Sequence, residues 1–176
     1  MSFKDIFLLP NLITLLRLFS SLALFFYFTP DSFTTPILVL IIALIGISDS
    51  VDGIVARKFN LVSKLGIILD PFTDRVVFIV LLFWLNIYIP SSIFYSILIR
   101  EMLVLLGSLY VLVTGLRIEV SNKGKLGTVL LFITVCLFVI NSSITIPFLS
   151  QISVIVIIFY FYVAIEYLYN LIYKSG

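Results

Sequence analysis

Six apolar runs separated by polar breaks divide the chain, at about residues 11–29, 37–57, 66–88, 92–114, 125–141 and 151–172. A helix needs roughly 20 apolar residues to cross the hydrocarbon of a bilayer, and it satisfies its own backbone hydrogen bonds on the way. The runs therefore predict an all-α integral membrane protein with six transmembrane helices. Composition agrees: 62% of the residues are hydrophobic, 11% are charged, and the mean hydropathy is +1.28, well outside the range of soluble domains. The length of 176 residues fits a single membrane domain, 1–176. The first run does not read as a signal peptide, because "MSFKDIFLLPN" offers one lysine and no small-residue cleavage site follows.

An even number of crossings puts both termini on one side, and the cations say which. Lys4, then Arg57, Lys58 and Lys64, then Arg117, Lys123 and Lys125, then Lys174 all fall on the face of the termini. The loops of the other face, "TPDSFTTP", "YIPSS" and "NSSITIPFLSQ", carry no Lys or Arg. By the positive-inside rule both termini and the loop after the second run are cytoplasmic, in a multi-pass protein of the cell membrane. The net charge of +2 gives no argument for nucleic acid. With no histidine, imidazole chemistry is excluded, and the lone Cys136 forms no internal disulfide and reads as a packing residue.

The remaining charges are harder to place in oil. Arg17, Arg75 and Arg100 fall within the runs, and Asp49, Asp52, Asp70, Asp74, Glu101 and Glu166 fall within them or at their cytoplasmic ends. A charge at mid-membrane costs at least about 2.5–3.5 kcal/mol, so such a cluster needs compensation. Most of it lies in "SDSVDGIVARKFNLVSKLGIILDPFTDRV", residues 48–76. On a helix Asp49 and Asp52 are one turn apart, beside the small residues Gly53 and Ala56, while Gly66, Asp70 and Asp74 follow i, i+4, i+8 on one face. A hairpin around "KFNLVSKL" would bring the four carboxylates together near the cytoplasmic end. Their hard oxygens suit Mg²⁺ or Mn²⁺, and two divalent ions would neutralise them. Gly53, Ala56 and Gly66 would then let a large ligand approach the backbone, with Arg57 as a partner for phosphate. Singly, Asp49 reads as a helix-end carboxylate, Asp70 before Pro71 as a helix opening or kink, and the glycines as packing positions. Together they point to a site.

The pattern Asp49-x2-Asp52-Gly53-x2-Ala56-Arg57-x8-Gly66-x3-Asp70-x3-Asp74 resembles the signature of the CDP-alcohol phosphotransferases at every fixed position. The resemblance implies a six-helix membrane enzyme, usually a homodimer, that transfers a phosphoalcohol group from a CDP-alcohol to an acceptor hydroxyl and releases CMP. It implies a metal pair held by Asp49, Asp52, Asp70 and Asp74, with Asp74 also the general base. It implies a CDP pocket lined by Gly53, Ala56, Arg57 and Gly66.

Three further segments bear on the acceptor. "LPNLITLLRL" resembles the "NxLTxxR" opening of phosphatidylglycerophosphate and cardiolipin synthases at Asn11, Thr14 and Arg17, departing at Ile13. "IREMLV" resembles the "ARE" segment in the fourth span of phosphatidylglycerophosphate synthases at Arg100 and Glu101, where the structural alternative is an internal Arg–Glu pair with no ligand. "GKLGT" resembles "GKxKT" but has Gly127 in place of the second lysine, and Leu131 where a glutamine is often found. Arg17, Arg75, Arg100, Lys123 and Lys125 are more cations than a neutral acceptor requires. The expected reaction is therefore transfer of phosphatidyl from CDP-diacylglycerol to sn-glycerol 3-phosphate, with inositol phosphate and phosphatidylglycerol as alternatives. The resemblance runs from about residue 9 to 130, and the last two runs are generic. A small cation transporter is the competing class. In the second and third runs the polar helix ends both lie on the cytoplasmic side and the opposite halves are uncharged, and no inverted repeat is visible, which speaks against it.

Overall fold

The computed structural model describes residues 8–58, 64–114 and 122–173; of these, the side chains of 9, 10, 49–58, 64–71, 108, 111–114, 122, 125, 167, 168 and 170–173 are outside the description. The described residues form α-helices and no strand. In chain order these are α1 (Leu9–Tyr27), α2 (Thr35–Lys58), α3 (Lys64–Trp84), α4 (Ser91–Thr114), α5 (Asn122–Asn141) and α6 (Leu149–Tyr173). Each coincides with one apolar run. Pro10 falls in the first turn of α1, where its missing N–H costs nothing. The third run is expected to reach residue 88, but α3 ends at Trp84 and a 3₁₀ turn follows at Asn86–Tyr88. Pro90 disfavours helical geometry at Ile89, which keeps α3 and α4 separate, and its carbonyl accepts the amides of Ile93 and Phe94 and starts α4.

The chain divides into two compact units, Met1–Leu85 and Asn86–Gly176. In the first, α1 packs against α3 and α2, so the N-terminal helix is shared by both helices of the aspartate motif. Its buried side is polar: Asn11, Thr14, Arg17 and Ser21 are all buried and lie within about a third of the helical circumference. Its other side is oil, with Leu16 72%, Phe19 65% and Phe26 73% exposed. Leu38 and Ile42 of α2 and Val77, Phe78, Leu81 and Leu82 of α3 supply the apolar core. The far end is fastened by Trp84, whose indole N–H donates to the Phe28 carbonyl at 2.8 Å.

In the second unit α6 packs against α5 and α4. Leu131, Val135, Phe138 and Val139 of α5 and Ile157, Tyr160, Val163 and Ala164 of α6 recur at helical spacing and are buried. The exposed face of α6 is equally apolar, with Ile155, Ile158 and Ile165 all open. The window Leu149–Glu166 is long and apolar enough to cross a membrane. Only 28% of it is buried, unlike the core helix of a soluble bundle. Shorter apolar stretches run through Asn11–Tyr27, Thr35–Ser48 and Leu126–Asn141. Large apolar side chains thus cover the outside as well as the core, and a polar stripe of α1 is buried, unlike the charged surface of a soluble protein.

Candidate active site

The aspartate motif falls on two successive helices of the first unit. Asp49, Asp52, Gly53, Ala56 and Arg57 occupy the last turns of α2, and Gly66, Asp70 and Asp74 the first turns of α3. The backbone is helical at all of these positions, so Asp49 and Asp52 are separated by about 60° around α2, and Asp70 and Asp74 by about 40° around α3. The helix continues through Pro71, which removes the reading of Asp70–Pro71 as a helix start. The side chains of Asp49, Asp52, Ala56, Arg57 and Asp70, the surroundings of Gly53 and Gly66, and the turn at 59–63 expected to close the hairpin all lie outside the described residues. Among the described residues no three metal-ligating side chains come together.

Asp74 is the motif residue whose side chain is described, and its partner is on α1. An Nη2 proton of Arg17 is donated to Asp74 Oδ1. Arg17 is 5% exposed, whereas the Asp74 side chain is 33% exposed; of the pair, the carboxylate is the more accessible. The sequence reading groups Arg17 with the acceptor cations. The structure sets it on the carboxylate of the expected base. A carboxylate has about four lone-pair positions, so Arg17 and a divalent ion can share Asp74; a set of carboxylate oxygens at helical spacing on α2 and α3 is the donor chemistry that Mg²⁺ or Mn²⁺ requires. Arg75, the next residue, is half-buried.

The other expected acceptor residues belong to the second unit. Arg100 Nη1 donates to Glu101 Oε1 at 3.1 Å, the Tyr160 hydroxyl donates to the same oxygen at 2.6 Å, and the Arg100 guanidinium carbon lies 3.4 Å from the centroid of the Tyr160 ring. Arg100 is 3% exposed, Glu101 0% and Tyr160 1%. This is a closed polar cluster with a cation over an aromatic face. Lys123 behaves differently: its ammonium is exposed and donates to both carboxylate oxygens of Glu166, at 2.9 and 3.0 Å. That hydrogen bonding, and then the charge of Glu166, raise the Lys123 pKa above its ordinary value. Lys123 is thus a cation throughout the neutral range. The side chain of Lys125 lies outside the described residues.

Residues 7–166 match the family model described as CDP-alcohol phosphatidyltransferase. The chain belongs to that family. Among its relatives is the CDP-diacylglycerol--glycerol-3-phosphate 3-phosphatidyltransferase of Aquifex aeolicus, 35% identical over 133 residues that cover 73% of this chain and 72% of the relative. The protein of the same name in Rickettsia typhi is 32% identical over 142 residues, covering 77% and 78%. A shorter match, 35% over 100 residues and 56% of this chain against 42% of the relative, is to the CDP-diacylglycerol--inositol 3-phosphatidyltransferase of Candida albicans. The family match extends through both compact units.

For a CDP-alcohol phosphatidyltransferase the departure at Gly127 now has a physical reason. A Cβ there would lie 2.8 Å from Cδ2 of Tyr160, and the Tyr160 ring is pinned by its hydroxyl on Glu101 and by Arg100 on its face. A lysine at 127 has no room. Tyr160 itself is invisible in the sequence, one phenol in an aromatic run. Overpacking of this kind costs about 1–3 kcal/mol, against the roughly 1 kcal/mol that alanine gains over glycine inside a helix. Gly127→Ala is expected to lower the thermal midpoint of the purified protein by a few degrees; an unchanged or higher midpoint would show that the ring yields.

Proposed function

We propose that this CDP-alcohol phosphatidyltransferase moves the phosphatidyl group of CDP-diacylglycerol to the hydroxyl of sn-glycerol 3-phosphate, giving phosphatidylglycerophosphate and CMP. The observation that carries the reading is the complete aspartate signature set helically on α2 and α3, in a chain whose relatives named for this reaction match most of both lengths. Asp49, Asp52, Asp70 and Asp74 hold two divalent ions, Mg²⁺ or Mn²⁺, which when bound offset the carboxylates and stabilise charge on the pyrophosphate oxygens. Gly53, Ala56 and Gly66 leave room for the cytidine nucleotide, and Arg57 pairs with its phosphates. Asp74 accepts the proton of the attacking glycerol 3-phosphate hydroxyl. The reaction then needs no histidine.

The enzyme on this reading is a six-span homodimer with both termini and the active site at the cytoplasmic face of the cell membrane. The distribution of Lys and Arg and the apolar outer faces of α1 and α6 support it. The diacylglycerol tails stay in the bilayer while the headgroup reacts at its edge.

The acceptor phosphate is held by Lys125 and Lys123, with Arg75 beside the base. Arg100, closed in with Glu101 and Tyr160, belongs to the interior of the second unit, as the internal-pair alternative has it. The two roles separate experimentally. Losing one charge-assisted contact costs about 1.5–3 kcal/mol, so Lys125→Ala should raise the KM for glycerol 3-phosphate about 10- to 150-fold and leave that for CDP-diacylglycerol near wild type. Arg100→Ala removes the cation from a buried carboxylate and should cost about 3–5 kcal/mol of stability, without a selective acceptor defect. A selective rise in acceptor KM for a well-folded Arg100→Ala, with Lys125→Ala normal, would reverse the assignment; saturation by inositol phosphate in preference to glycerol 3-phosphate would make this an inositol enzyme.

A further inference from the structure

We propose that Arg17 is a positioning residue for Asp74: from α1 it grips one carboxylate oxygen and fixes the direction in which the carboxylate meets the acceptor hydroxyl. The inference rests on the reading of Asp74 as the base. It starts from the contact itself, Arg17 Nη2 to Asp74 Oδ1 across 57 positions of sequence. Exposure then assigns the roles within the pair. Arg17 is 5% exposed and the Asp74 side chain 33%, so a soluble phosphate can reach the carboxylate more readily than the guanidinium. A buried guanidinium that is less accessible than the carboxylate it holds is poorly placed to grip a soluble anion.

The surroundings are built for such a role. Asn11, Thr14 and Ser21 are buried on the same side of α1 as Arg17, and α1 packs on both α3 and α2. The first helix is therefore a wall of the site and not a plain membrane anchor. A flexible aspartate at the start of a reaction must be ordered before it can take a proton, and a planar guanidinium fixes a carboxylate in a way a lysine ammonium does not. Outer-shell groups that orient a metal-ligating side chain typically contribute about 10- to 100-fold in metal affinity or activity, and on this reading Asp74 is such a ligand as well as the base.

The test is a double-mutant cycle on the full-length protein in detergent, with Arg17→Gln, Arg17→Lys, Asp74→Asn and the Arg17→Gln/Asp74→Asn pair. Two readouts are taken: kcat with both KM values, and the thermal midpoint in EDTA. Arg17→Gln should lower kcat about 10- to 100-fold with both KM values within about twofold. In the Asp74→Asn background the same change should have little further effect on kcat, because the group it orients is already disabled. Arg17→Lys should restore the midpoint more fully than it restores kcat. In EDTA, Arg17→Gln alone should lower the midpoint, and adding Asp74→Asn should recover part of the loss by removing the charge that Arg17 balanced. The proposal is overturned if Arg17→Gln raises the glycerol 3-phosphate KM by the same factor in both backgrounds, which is the signature of an acceptor grip. It is equally overturned if Arg17→Gln lowers the midpoint while kcat per folded molecule stays normal. Wild-type kcat in Asp74→Asn would instead remove the base, and the midpoint cycle would still report whether the pair exists.

Discussion

Asp74→Asn is expected to lower kcat by about 10²–10⁴-fold, the usual cost of losing a general base, while CDP-diacylglycerol binding is largely preserved. The substitution is nearly isosteric, so α3 keeps its packing, and an amide can still accept from Arg17 where the carboxylate did. On the proposed reading, what it loses is basicity at the attacking hydroxyl, while the other three aspartates would still hold at least one divalent ion and Arg57 would still pair with the nucleotide phosphates. Equilibrium binding of CDP-diacylglycerol beside single-turnover CMP release checks both halves. Normal turnover with poor donor binding would make Asp74 a ligand only.

Asp49→Asn and Asp70→Asn should each abolish turnover at physiological Mg²⁺ with little loss of folded protein. On the proposed reading each would remove a hard anionic ligand from the metal site, and divalent affinity falls with ligand charge. Stability should hold because neutralising one of several clustered carboxylates relieves repulsion in the metal-free protein. Mn²⁺ titration followed by electron paramagnetic resonance reads the binding without any catalysis, and should show a weakened or lost site in both variants. Wild-type activity at limiting Mg²⁺ in either would contradict the metal assignment.

Much of this was legible in the sequence, for reasons that differ by feature. The helices were, because an apolar run of bilayer length admits little else; the end of α3 at Trp84 was not, because hydropathy stays high through Ile87 and Tyr88 while the backbone turns into a 3₁₀ turn. The aspartate spacing was legible because it is carried within α2 and within α3, where residues three and four apart share a face whatever the tertiary structure. Arg17 was visible as a cation in oil, but its partner was not, since the pairing with Asp74 joins helices 57 residues apart. The same holds for Gly127, which reads in sequence as a missing charge and in the structure as the space occupied by the Tyr160 ring. Pairings across helices are set by packing, and a single sequence records each partner without recording the pair.

The most direct test of the central claim is CMP release by the purified protein supplied with CDP-diacylglycerol, Mg²⁺ and, in separate reactions, glycerol 3-phosphate, inositol phosphate, serine or phosphatidylglycerol. The account predicts rapid CMP release with glycerol 3-phosphate, phosphatidylglycerophosphate as the lipid product, and its loss in Asp74→Asn. Release supported by another acceptor and not by glycerol 3-phosphate, or no release with any of them, would contradict it.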